Sequence, residues 1–100
     1  MTEDPFDRVQ LLGPGVLVEE VLREAGVTQA SFARAARLSQ KHISRVINGH
    51  ASITPEFALL LEEALGWPEC PSAEYWCALQ AKYDLAALRA NTVHRGRQRE

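Results

Sequence analysis

Thr28 to Gly49 reads TQASFARAARLSQKHISRVING, and this stretch decides the fold. Thr28 is a good N-cap for a helix that opens at Gln29 and runs to about Ala36, with Phe32 and Ala33 on its inner face. Arg37 and Leu38 then make a short turn, and Ser39 caps a second helix that reaches Asn48 and Gly49. Ile43, Val46 and Ile47 recur at helical spacing and predict a core-facing stripe. A small residue at Ala33 lets the two helices cross closely, and Leu38 plugs the corner between them. This anchoring leaves Ser39, Gln40, Lys41, Ser44, Arg45 and Asn48 on the outer face, all hydrogen-bonding types and none acidic. A helix that is only solvated more often carries Glu–Lys pairs.

The charge around this stretch is segregated. Residues 28–52 hold Arg34, Arg37, Lys41 and Arg45 and no carboxylate, although the 100-residue chain has a formal net charge of -2. Residues 1–27 carry six acids against two bases, and residues 53–79 carry five acids and no base. One segment therefore presents positive charge to phosphates while the remainder keeps the chain soluble. In a major groove, the N-terminal half of a helix like 39–48 reaches base edges. Gln pairs with adenine and Lys or Arg with guanine, each worth roughly 1–3 kcal/mol of discrimination. Gln29, at the start of its helix, is placed to meet a backbone phosphate with help from the helix-end amides. His42 and His50 lie in the same basic block, and Arg34 and Arg37 are further candidates for phosphate contact.

Outward from this core the plan is helical throughout. Residues 1–12 read as an irregular lead-in, and Gly13-Pro14-Gly15 leads into a helix from Val16 to Gly26, with Leu17, Val21 and Leu22 on one face. Thr54 caps a fourth helix with Pro55 at its first position, and Phe57, Ala58, Leu61 and Leu65 form its stripe before Gly66 stops it. Trp67 to Pro71 reads as a stiff connector. Ser72 caps a fifth helix reaching about Ala90, and residues 91–100 read as a basic, disordered tail. The folded unit is thus 13–90, all-α, with five helices. It has no apolar run long enough for a membrane span and an acidic N-terminus unlike a signal peptide, so a cytoplasmic location is expected. Cys70 and Cys77 lack the partners of a zinc set, and no cofactor is implied. No paired carboxylates, nucleophile–His arrangement or Gly-rich phosphate loop marks an enzyme.

The pattern Gln29-x3-Ala33, Leu38-Ser39, Ile43-Ser44-x-x-Ile47-Asn48-Gly49 resembles the lambda-repressor-like (XRE) helix-turn-helix family. Pro14-Gly15-Val16-Leu17 and Ile53-Thr54-Pro55 with Ala58-x-x-Leu61 are similar to its HigA-type antitoxin branch. The ending Glu74-Tyr75-Trp76-x-x-Leu79-Gln80-x-x-Tyr83-Asp84-Leu85 is similar to that branch's C-terminal helix. Gly13 departs from the branch, which often has His there. The resemblance spans about residues 13–88. It implies a homodimer that binds a palindromic double-stranded operator and pairs with a HigB-type, mRNA-cleaving toxin of the RelE fold. Carried over, Ser39, Gln40, Lys41, Ser44 and Arg45 read bases, while Gln29, His42, Asn48 and His50 touch phosphates. The alternative is a stand-alone phage or host repressor without a toxin. A protein-interaction module that has lost DNA binding is disfavoured by Gln40, Lys41 and Arg45.

The fifth helix carries two apolar rows. Trp76, Leu79, Tyr83 and Ala86 are spaced for the core, and Cys77, Ala81, Leu85 and Leu88 make a second row expected to bury against a symmetry mate. The acids from Glu56 to Glu74, Glu62 and Glu63 among them, offer a docking face to a basic toxin.

Overall fold

Local capping chemistry sets the boundaries of nearly every helix. The computed structural model describes Val9, residues 12–66 and residues 70–99, with side chains as far as Asn91. Among these residues the elements are α1 (Gly15–Ala25), α2 (Gln29–Ala36), α3 (Gln40–Ile47), α4 (Pro55–Leu65) and α5 (Ala73–Arg99), with no strand. Thr28, Ser39 and Thr54 accept the backbone N–H of Ser31, His42 and Phe57 at 3.0, 3.0 and 3.1 Å. Each such cap is worth about 1 kcal/mol. Ser72 plays the same part for Tyr75 at 3.3 Å. A second acceptor at the start of α5 comes from a distance: Glu62 of α4 takes the Ala73 N–H at 2.9 Å through Oε2.

The helix ends use left-handed turns. Gly26 (φ 72) and Gly49 (φ 82) adopt that conformation without penalty, whereas Arg37 adopts it with φ 59 after α2. A side chain in this region costs about 1 kcal/mol. The turn at Arg37 is held by the Leu38 N–H donating to the Ala33 carbonyl at 3.0 Å. That bond spans the left-handed residue and satisfies a helix-end carbonyl.

The core is one cluster drawn from all these helices. Phe32 of α2, Ile43 and Val46 of α3, Phe57 and Leu61 of α4 and Trp76 of α5 are essentially inaccessible. Phe32 and Phe57 meet edge-to-face at 5.8 Å, a geometry worth about 1 kcal/mol beyond simple burial. α3 packs on α1 and α2, and α5 packs chiefly on α4. Val18, which the amphipathic reading of α1 left aside, is fully buried as well.

Two sequence-based expectations are corrected. The lead-in is not irregular at its end: Val9 and Leu12 are helical, Val9 is fully buried, and the Gly13 N–H donates to the Val9 carbonyl at 2.7 Å. An apolar residue with a core to join folds even beside a Gly-Pro-Gly break. The tail expected from residue 91 also differs, because α5 continues to Arg99. Polarity alone does not end a helix, and only Gly96 in that segment opposes helix by about 1 kcal/mol. Residues 1–8, 10, 11, 67–69 and 100 lie outside the described residues, as do most of the expected lead-in and connector.

Candidate nucleic-acid interface

α3 is seated from below by Ile43, Val46 and Ile47, all buried. With about 100° between successive residues, Gln40, Lys41, Ser44, Arg45 and Asn48 then fall within an arc of about 140° on the opposite side. Gln40, Lys41, Arg45 and Asn48 are exposed, and Ser44 is half-buried. Ser39 stands at the helix mouth, exposed, with its oxygen occupied by the His42 N–H. The Asn48 amide donates to the Ser44 hydroxyl at 3.3 Å, which links two of the outer residues. Arg45 Nη2 donates to the His50 carbonyl at 3.1 Å, leaving its other guanidinium N–H groups for a ligand.

The flanking candidates divide into two kinds. Arg34, Arg37 and His50 are exposed, and Gln29 is half-buried at the start of α2. His42 is also half-buried, and its ring lies edge-on to Phe57 at 5.9 Å, so part of its role is packing. No carboxylate comes from residues 28–52, so the charge this segment brings to the face is positive.

Sequence reading missed what seats α3 at its far end. A Cβ on Gly15 would lie 1.9 Å from the Val46 carbonyl oxygen and 2.8 Å from Ile47 Cα. The start of α1 therefore touches the backbone of α3 directly, and only glycine fits. Also missed were Gln80 of α5, whose Oε1 accepts the Ile53 N–H at 2.8 Å, and the Glu62 cap on α5. No local signal marks these contacts, which join residues far apart in the chain.

On α5, Trp76 and Leu79 are buried and Tyr83 packs partly against the core. Of the second row, Cys77 is half-buried against the core of its own chain. Ala81 is exposed, as are Leu85 at 47% and Leu88 at 60%. Cys70, beside the root of the helix, is buried and receives the Trp76 indole N–H at 3.4 Å. Burial pushes its thiol above the ordinary value of 9.0; the Trp76 bond opposes this, and the Glu62 charge adds to the rise.

Residues 18–69, from within α1 to beyond α4, match the helix-turn-helix family. The chain belongs to the helix-turn-helix family. This is a family of DNA-binding regulators. The chain is 36% identical over 73 residues to an uncharacterized HTH-type transcriptional regulator, YddM, of Escherichia coli K12, covering 73% of each. Within the helix-turn-helix family its structural likeness is to HigA-type antitoxins. A putative antidote protein of a plasmid maintenance system from Nostoc punctiforme superposes with a TM-score of 0.70 at 32% identity, over 87% of this chain and 92% of that one. Antitoxin HigA of Pseudomonas aeruginosa, solved with the higBA promoter, gives 0.68 at 30% identity, over 87% and 88%. Among the described residues no helix is long and apolar enough to cross a membrane.

Proposed function

We propose that this chain is the antitoxin of a toxin–antitoxin pair, and that it binds and represses its own operator as a homodimer. The observation that carries the reading is the outer face of α3, basic and free of acids on a helix seated by three buried residues. The likeness to antidote and HigA structures, one of them solved with a promoter, supports it. Gln40, Lys41, Ser44 and Arg45 read base edges, with Ser39 at the groove-facing end. Gln29, Asn48, His50, Arg34 and Arg37 hold phosphates, and His42 adds a contact from its exposed side. Ala81, Leu85 and Leu88 of α5 meet a second copy and space two α3 helices about one DNA turn apart.

The toxin partner is of the HigB type, with a RelE fold. Its docking surface on this chain is the acidic side of α4, through Glu56 and Glu63, because the Glu62 carboxylate is already engaged with Ala73.

Binding of the purified chain to the DNA upstream of its own reading frame, followed by fluorescence anisotropy, tests the operator reading. Lys41→Ala and Arg45→Ala are expected to weaken binding to that duplex by roughly 5- to 150-fold, a loss larger than on random duplex. Gln29→Ala is expected to weaken both alike. A parent chain that binds operator and random duplex equally overturns the assignment. A stand-alone repressor remains the second reading, favoured by the match to a regulator whose name mentions no toxin. Co-expression with the adjacent reading frame and affinity purification decide between them: a stable co-purifying product supports the antitoxin, and its absence supports the lone repressor.

A further inference from the structure

Among the described residues Gln80 is the one buried polar side chain, and neither end of its amide is idle. Its Oε1 accepts the Ile53 N–H at 2.8 Å and its Nε2 donates to Asp84 Oδ1 at 2.9 Å. A backbone donor on one side and a carboxylate on the other demand this one orientation of the amide. α5 is thereby tied to the loop that leaves α3.

Few side chains of that loop are buried. Asn48, Gly49, His50, Ser52 and Thr54 are exposed, and Ile53 alone is buried. Beside it lies a cleft of about 130 Å³, lined by Gly13, Gly49, His50, Ser52, Tyr83 and Asp84. The Ile53 side chain and the half-buried Ala51 hold the loop to the core, and the directional bond from Gln80 fixes the Ile53 backbone within that packing. Three residues back, His50 grips Arg45 twice. Its N–H donates to the Arg45 carbonyl at 2.8 Å, and its own carbonyl accepts Arg45 Nη2 at 3.1 Å. The aim of the guanidinium therefore depends on where the loop lies.

We infer that Gln80 is a positioning residue for sequence discrimination by Arg45, acting through the Ile53 and His50 backbone. The inference rests on the proposed reading of DNA by α3. Lys41, three residues before Ser44 and bonded to nothing in this loop, serves as the internal control. The chain thus links the helix proposed to meet a second copy with one specific base contact rather than with the whole α3 face.

The test is a double-mutant cycle on the full chain, read as the ratio of affinities for the upstream duplex and for duplexes with single base-pair changes. Gln80→Leu is expected to lower discrimination at the base pair lost in Arg45→Ala by at least roughly threefold, out of the 5- to 150-fold such a contact provides. It is expected to add nothing in the Arg45→Ala background and to keep its full effect in the Lys41→Ala background. Gln80→Glu keeps an oxygen acceptor for Ile53 but sets a second carboxylate against Asp84, so it is expected to retain the parent's discrimination only when paired with Asp84→Asn, which restores a donor–acceptor contact. Asp84→Ala, at an exposed site, frees the outer end of the amide and is expected to act in the same direction but more weakly, which covers a Gln80→Leu chain that does not fold. Equal effects in the Arg45→Ala and Lys41→Ala backgrounds overturn the inference, as does unchanged discrimination in folded Gln80→Leu or Asp84→Ala. A parent chain without sequence preference overturns the inference together with the proposed function. A parent whose preference depends on Arg45 but not on Gln80 overturns the inference alone.

Discussion

α3 and the outer half of α5 both turn one side to solvent, and they finish that side with opposite chemistry. α3 buries Ile43, Val46 and Ile47 and shows Gln40, Lys41, Arg45 and Asn48. α5 buries Trp76 and Leu79 near its root, then shows Leu85 and Leu88 farther along. A face of hydrogen-bond donors without carboxylates is complete in water and complementary to phosphates and base edges. A face with leucines a turn apart is incomplete in water and complementary to another apolar face. The chemistry of an exposed helix side limits what can cover it, and these two sides suit different surfaces.

The comparison breaks most severely if α3 is unseated. Gly15→Ala forces a methyl group into the Val46 carbonyl and the Ile47 backbone, neither of which can swing aside as a side chain can. The expected loss is about 3 kcal/mol or more. For a domain this size that lowers Tm by at least roughly 12 °C, visible by circular dichroism. A Gly15→Ala chain melting with the parent would show that the α1–α3 contact does not hold α3.

The next effect falls on α5. Leu85→Asp together with Leu88→Asp removes the apolar surface proposed to meet a second copy. At about 1 kcal/mol for each leucine, four of them per dimer weaken self-association by roughly a thousandfold. Sedimentation should then show monomer where the parent is dimer, with the monomer fold intact because both leucines are largely exposed. A parent that sediments as monomer at micromolar concentration removes the basis for this reading of α5.

The smallest effect concerns the two thiols at the root of α5. Cys70 is shielded beside Trp76, so it should react with iodoacetamide far more slowly than the half-buried Cys77 in the native chain, and equally fast after denaturation. Its folded thiol holds its proton above 9.0, where the unfolded thiol releases it. Its contribution to stability is therefore fully present below that pH and falls as pH rises above it. Cys70→Ser should flatten that alkaline decline in a denaturant titration series.

Much of this was legible in the sequence because its causes are local. Thr28, Ser39, Thr54 and Ser72 cap helices using residues three positions ahead, and the stripes of α3 and α4 follow from helical period alone. The outer face of α3 followed directly from its inner one. What escaped was non-local or contrary to propensity. Gly15 reads as part of a turn until α3 is laid against it, and Gln80 reads as surface until Ile53, 27 residues earlier, is found beside it. Glu62 looked like a free docking charge, yet it caps a helix that begins eleven residues later. Polarity after Asn91 suggests an end of helix, yet the helix runs on to Arg99.

Arg37 is the feature whose meaning reaches beyond the fold. At φ 59 it holds a conformation that glycine would adopt freely, at the corner that aims α3. Selection for heat resistance alone favours glycine there, by about 1 kcal/mol. The phosphate contact proposed for Arg37 favours the cation instead, at the edge of a block without carboxylates. This corner is therefore a place where lineages adapting to hotter surroundings and lineages adapting to a tighter operator should diverge, one losing the charge and the other keeping it.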